Sequence, residues 1–197
     1  MNKAWSTKEV ADAHGYLSVL PVKIAHHDLF SHWLKSQTVF PKTVVDIGCC
    51  SGRVLDSIGE GAEKYLGIDF SEASIEFANI NRATPSYKFM CMDAETDPLP
   101  FQPKDYSVCY IDSVITMVQS PTRLLLKLAP YFDCIFLNRT AVGSETNKGG
   151  MVWSGMTAES VLWSFSLDYF RAMANETGFL RLEVIEDQKV VIMSQKG

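Results

Sequence analysis

Four acidic residues, Asp46, Asp69, Asp93 and Asp112, each close a short apolar run, and the chemistry of the chain is legible from that spacing. The β-branched stretch from Thr43 to Ile47 reads as a buried strand. Gly48 and Gly52 then bracket a tight turn before Val54, Leu55 and Ile58 take up helical spacing. Strand, glycine loop and helix in that order deliver Asp46 to the carboxyl edge of a sheet, the edge where open α/β folds bind ligands. Glycine lets backbone approach a ligand where a Cβ would collide. Lys64 to Ile68 reads as a second strand ending in Asp69, roughly twenty residues beyond the loop, where such folds hold the hydroxyls of a ribose. A carboxylate accepting those hydroxyls gains about 1.5 to 3 kcal/mol per charged bond. Gly67 clears space beside the loop.

Asp46-x-Gly48-x-x-x-Gly52 resembles the first motif of the class I S-adenosylmethionine (SAM)-dependent methyltransferases, in its D-x-G-C-x-x-G-R form. Cys50 stands where the fuller acid-x-Gly-x-Gly-x-Gly pattern has a second glycine, and its small side chain predicts only modest tightening. YLGIDFS is similar to the second motif of that family. A third strand, Tyr87 to Met92, closes on Asp93-Ala94-Glu95, matching the family position where an acid followed by a small residue holds the adenine amino group. The resemblance thus implies SAM as cofactor and S-adenosylhomocysteine as product. Asp46, Gly48, Cys49 and Gly52 would serve the methionine end, Asp69 and Phe70 the ribose, and Asp93 and Ala94 the adenine. Asp112 and Ser113, carried to the same edge by the fourth strand, would be further cofactor contacts. It also implies an α/β fold, a three-layer αβα sandwich on a seven-stranded, mostly parallel sheet with one antiparallel strand.

The elements that must position these residues follow in order. Ser6 and Glu9 form a capping box for a short helix ended by Gly15, and Pro21 to Gln37 reads as an amphipathic helix. Residues 1–37 are therefore an N-terminal helical cap on a single domain of 197 residues. Ser71-x-x-Ser74 starts a helix after the second strand, and the fourth strand runs from Tyr106 to Ile111. Pro121 opens a helix, Cys134 to Leu137 is the fifth strand, and Leu167 to Thr177 is the last helix. Leu180 to Ile185 and Val190 to Met193 form a closing hairpin. Residues 141–164 combine four glycines with Met151, Trp153 and Trp163, predicting a mobile apolar loop that is either a lid or an oligomer contact.

For catalysis the sequence leaves alternatives open. Asp112 is either a base or a neighbour of the SAM methionine moiety, and Met117 stands where many relatives of the resembled family have a histidine. His14 is a second candidate base. His26, His27 and His32 share one helix, each either a general base or a solvent-facing imidazole. Tyr16 and Trp153, with Trp5, are candidate pocket residues. Arg139 follows the fifth strand and suits either an anionic substrate group or a structural ion pair. The nucleobase- and glutamine-gripping (Asn/Asp)-Pro-Pro-(Tyr/Phe) tetrad and the Pro-Cys pair of cytosine enzymes are missing.

A net charge of −5 with no Lys/Arg cluster argues against nucleic acid. Five cysteines, odd in number and lying on or beside apolar runs, read as free thiols in a reducing compartment, and no metal-ligand spacing occurs. The N-terminus lacks the apolar core of a signal peptide and no run could cross a bilayer, so a cytoplasmic protein without membrane contact is expected, as monomer or homodimer. The resulting expectation is a methyltransferase acting on the oxygen or nitrogen of a small molecule. The rivals are an aminopropyl transferase using decarboxylated SAM, an NAD-dependent oxidoreductase, for which the Gly-x-Gly-x-x-Gly spacing is lacking, and a SAM-binding regulatory scaffold.

Overall fold

The computed structural model describes residues 24–152, 159–185, 187 and 189–195. His14, Tyr16, Trp5 and Trp153 lie outside the described residues, as does the capping-box helix. The strands are β1 (Thr43–Ile47), β2 (Lys64–Asp69), β3 (Tyr87–Cys91), β4 (Val108–Asp112), β5 (Cys134–Asn138), β6 (Val142–Gly143), β7 (Asn147–Val152), β8 (Glu159–Ser166), β9 (Arg181–Ile185) and β10 (Val190–Ser194). The helices are α1 (Ile24–Ser36), α2 (Val54–Ile58), α3 (Glu72–Arg82), α4 (Pro121–Leu128) and α5 (Leu167–Thr177).

Seven strands form one sheet in the order β3-β2-β1-β4-β5-β10-β9. Pairing is parallel from β3 to β5, and β10 runs antiparallel to both of its neighbours. This is the mostly parallel sheet with one reversed strand that the motifs imply. The chain leaves β1 for β2 on one side and returns to β4 on the other. The carboxyl ends of β1 and β4 therefore flank a topological switch point, where helices on opposite faces leave a crevice for ligand.

Helices cover both faces, so the central strands are buried throughout rather than alternating with solvent. Val45, Ile47, Leu66 and Ile111 face a core shared with α4 and α5. Val44, Tyr65, Tyr110 and Phe136 face a second core shared with α1, α2 and α3. Local signals set the boundaries. Ser71 and Ser166 cap α3 and α5 by accepting from Ser74 N and Tyr169 N, Pro121 sits in the first turn of α4, and Gly178 ends α5 with φ +76°.

Residues 141–164 depart from the expected loop. β7 and β8 pair antiparallel from Asn147↔Ser164 to Val152↔Glu159, and β6 adds to β8 in parallel. The alternation Val161-x-Trp163-x-Phe165 is a strand pattern that the surrounding glycines masked, since Gly149 and Gly150 lie inside β7. Phe165 is buried in the α4–α5 core, and Trp163 Nε1 donates to the Val118 carbonyl at 2.9 Å.

α1 lies over β4 and β5. Phe30 and Leu34 are fully buried, and the Phe30 ring stacks on Tyr110 at 4.1 Å and meets Phe136 edge-on at 5.1 Å. Phe30→Ala should lower stability by about 3 to 5 kcal/mol in urea unfolding, the cost of emptying a large buried site. A loss under about 1 kcal/mol would show that α1 is not packed on the sheet.

Candidate active site at the carboxyl edge

The loop after β1 is held by its own backbone and by β2. Gly48 N and Cys49 N both donate to the Ile68 carbonyl, at 2.7 and 3.1 Å, and Gly52 N donates to the Cys49 carbonyl at 2.8 Å. Gly48 and Gly52 have φ of +76° and +71°, which glycine adopts without penalty. A Cβ at Gly48 would lie 2.1 Å from Val114 Cγ2, and one at Gly52 2.4 Å from the Phe89 ring. These glycines thus answer first to side chains packed on the loop, Val114 after β4 and Phe89 on β3. At Gly67 a Cβ would meet Phe89 at 2.6 Å and Cys49 Sγ at 2.8 Å, so it does clear space beside the loop. Cys50 has φ +49°. Its departure from glycine costs backbone conformation, about 1 to 2 kcal/mol, rather than space.

Asp69 braces this loop. Its Oδ2 accepts from Cys50 N at 2.9 Å and its Oδ1 from Ser71 N at 2.8 Å. Burial raises its pKa, while the donors from Ser71, Cys50 and Phe70 oppose the rise. Asp46 is 3% exposed and accepts from the Tyr65 hydroxyl at 2.6 Å. Burial, opposed by that hydrogen bond and reinforced by the charges of Asp112 and Asp69, pushes its pKa up to about 8. Asp93 lies just past β3, where its Oδ1 accepts from Glu95 N at 2.9 Å and its own N donates to Asp97 Oδ2. Ala94 is buried, and its carbonyl accepts from Lys127 Nζ at 2.7 Å. Phe70 is half-buried, its carbonyl 3.6 Å from Cys91 Sγ, and Cys49 is buried with a raised thiol pKa.

A second polar cluster joins β4, β5 and α1. Arg139 donates to Asp112 twice, Nε to Oδ1 at 2.6 Å and Nη2 to Oδ2 at 2.8 Å. His27 Nε2 lies 3.3 Å from the same Oδ2. Burial alone would raise the Asp112 pKa, but the bonds from His27 and Arg139 and the Arg139 charge outweigh it and hold the carboxyl below its usual range. Asn138, fully buried, donates to the Tyr110 hydroxyl and to the His26 carbonyl, each at 2.9 Å, fastening α1 to the strand ends. Ser113 and Arg139 both have left-handed backbone, at φ +65° and +49°. Non-glycine residues held this way cluster at functional sites.

His27 is buried at 8% exposure, His26 is half-buried, and His32 is exposed with its Nδ1 against the Asp28 carbonyl. The signal that separates them was present in the sequence. His27, Phe30 and Leu34 fall at i, i+3 and i+7, one face of the helix. Among the described residues, four buried side-chain polar atoms lack a partner: His27 Nδ1, Ser51 Oγ, Thr140 Oγ1 and Arg82 Nε. The first lies above the carboxyl edge, and Ser51 and Thr140 follow β1 and β5 there. Each such atom costs about 1 to 3 kcal/mol unless something pairs with it. The edge is therefore furnished with polar groups awaiting partners, as a cofactor and acceptor site requires. Among the described residues no group of three or more His, Cys, Asp or Glu could hold a metal ion, the five cysteines are free, and no helix is long and apolar enough to cross a membrane.

Residues 45–130 match the family model described as a methyltransferase domain. The chain is similar in structure to the SAM-bound amino pentose methyltransferase CalS10 of Micromonospora echinaspora, with TM-score 0.68, 8% identity, and 93% and 96% of the two chains covered. It is equally similar to a chain of the complex between the Haloferax volcanii Trm112 methyltransferase activator and a methyltransferase, with TM-score 0.68, 14% identity, and 99% and 97% covered. The [4+2]-cyclase SpnF also matches, with TM-score 0.60, 17% identity, and 82% of this chain and 61% of that one covered. No curated protein sequence matches. With its seven-stranded, mostly parallel sheet in this order, the chain has the α/β Rossmann-like methyltransferase fold, and its strand-end motifs fall within or beside the matched residues.

The Asp46 carboxyl gives a pH signature. Its folded pKa, about 8, stands above the ordinary 3.8, so the folded state holds a proton that the unfolded state has lost between those values. That contribution to stability is complete below pH 4 and is lost as pH rises through about 8, at up to about 1.4 kcal/mol per pH unit. Chemical denaturation between pH 5.5 and 9 should show wild type weakening with rising pH and Asp46→Asn with a flatter profile. Parallel profiles would contradict a protonated Asp46.

Proposed function

We propose that this chain binds SAM across the carboxyl ends of β1, β2 and β3 and transfers its methyl group to the oxygen or nitrogen of a small-molecule acceptor beside β4 and β5. The observation that carries the reading is Asp69. It ends β2, the strand beside β1, and is locked to the glycine loop through Cys50 N, with Asp46 on β1 within electrostatic reach. Two backbone donors fix that carboxylate while its remaining lone pairs can accept ribose hydroxyls. Asp93 and Ala94, held by the 93–97 turn and by Lys127, are assigned to the adenine. Gly48, Cys49, Ser51 and Gly52 are assigned to the methionine end, where the unpartnered Ser51 Oγ supplies a hydrogen-bonding group.

The cofactor, when bound, supplies an electrophilic methyl on a sulfonium. The protein's task is then to hold an acceptor in line with it, and positioning of that kind can account for several kcal/mol of barrier. Arg139 spends Nε and Nη2 on Asp112, so the pair carries little net charge. A neutral or weakly charged acceptor suits this edge better than a strongly anionic one. The same neutralisation disfavours the aminopropyl transferase reading, which needs uncommitted carboxylates for a polycationic acceptor. The β7–β8 hairpin, tied by Trp163 to the segment after β4, is the element we assign to covering the acceptor.

Incubation with methyl-labelled SAM and a deproteinised small-molecule extract should place label in a small product. Binding of SAM without any transferred label would favour the regulatory scaffold. Asp69→Ala should weaken SAM binding by about tenfold or more in calorimetry, from loss of charged hydrogen bonds. Unchanged affinity would remove the ribose assignment.

A further inference from the structure

We propose that His27 is the general base for the acceptor, with Asp112 and Arg139 as the positioning residues that set its tautomer and orientation. This rests on the methyltransferase reading above and names which side chain of the acceptor site takes the proton.

The geometry fixes which nitrogen is available. Asp112 takes two bonds from Arg139 at 2.6 and 2.8 Å and remains ionised, so it can only accept. His27 Nε2, 3.3 Å from Asp112 Oδ2, must then be the nitrogen that carries hydrogen. In the neutral ring Nδ1 then keeps its lone pair, and that atom is buried and unpartnered among the described residues. A buried imidazole with one nitrogen tied to a carboxylate and the other unsatisfied is an arrangement whose desolvation cost is recovered when a donor arrives. An acceptor hydroxyl or ammonium is such a donor. Asp112 is the poorer base of the two, because its oxygens are engaged and its charged form is the one that the ion pair stabilises.

The ring is also pre-organised. Asn138 Nδ2 holds the His26 carbonyl at 2.9 Å, Ser31 Oγ donates to the Ser57 carbonyl at 2.7 Å, and Phe30 is stacked on Tyr110 one turn along α1. The charged and titratable groups around this turn are Asp112 from β4, Arg139 after β5, His26 on α1 and Lys189 before β10. In the step, the acceptor's O–H or N–H bond breaks and its proton passes to Nδ1, giving an imidazolium that Asp112 stabilises. The acceptor's electron pair forms the new bond to the methyl carbon, and the pair of the breaking carbon–sulfur bond returns to sulfur.

The test uses two cofactor analogues and needs no known acceptor. S-adenosylhomocysteine lacks the methyl, and sinefungin carries a protonated amine in its place. His27→Gln retains a donor for Asp112, so a merely structural role is rescued while the imidazole lone pair is lost. Calorimetry should show S-adenosylhomocysteine binding within about twofold of wild type and sinefungin binding weaker by about fivefold or more, the loss of one charge-assisted contact, direct or through one water. Equal changes for both ligands, or none, would overturn the proposal. Should wild type bind neither analogue, the cofactor reading itself fails, and this proposal with it. Nitrogen-15 spectra of the wild-type imidazoles keep the test independent of the variant's folding: the Nε2–H tautomer at His27 is expected, and an Nδ1–H tautomer would overturn the assignment.

Discussion

Carboxylates taken out of water must be paired or protonated, and at the carboxyl edge of this sheet that constraint is met in three ways within a few residues of one another. Asp69 is paired with backbone N–H groups of the loop and helix start, so its charge also holds the loop in shape. Asp112 is paired with a guanidinium and an imidazole, which ties β4 to the segment after β5 and to α1. Asp46, the most deeply buried, has only the Tyr65 hydroxyl and two neighbouring negative charges, and takes up a proton instead. The order of the strands brings these groups together, and their burial is what makes the pairing partners necessary.

The parts of this arrangement that were legible in the sequence are those that repeat locally. A strand closing on an acid is a pattern within ten residues, and it recurs at Asp46, Asp69, Asp93 and Asp112, so the sheet and the edge that gathers these acids could be read without coordinates. The glycine loop was equally legible, although the reason for its glycines lay partly elsewhere, in Val114 and Phe89. The left-handed backbone at Cys50 was not, because residue size says nothing about the sign of φ.

What escaped the sequence depends on contacts between distant segments. His27 and Asp112 are 85 residues apart, and nothing in the chain between them announces the pair. The β7–β8 hairpin was read as a loop because glycine content outweighed a strand alternation only a few residues long. Its pairing partner, not its own propensity, decides its structure.

A fold of this kind does not fix its chemistry, since a cyclase shares it with methyltransferases. What this chain adds is the arrangement at the edge: on β2 a carboxylate braced to the glycine loop, and beside β4 and β5 a histidine held by an ion pair. The two halves are adjacent because β1 and β4 are neighbours in the sheet. Methyl transfer needs that adjacency, with donor and acceptor in one crevice.

The central claim is that the acids following β2 and β3 recognise separate parts of one nucleoside-bearing cofactor lying over the glycine loop after β1. A crystal structure with S-adenosylhomocysteine tests it most directly. The account predicts the ribose hydroxyls on Asp69, the adenine beside Asp93 and Ala94, and the sulfur facing the Asp112–His27 side of the crevice. A nucleoside bound elsewhere, or bound here with Asp69 and Asp93 untouched, would contradict it.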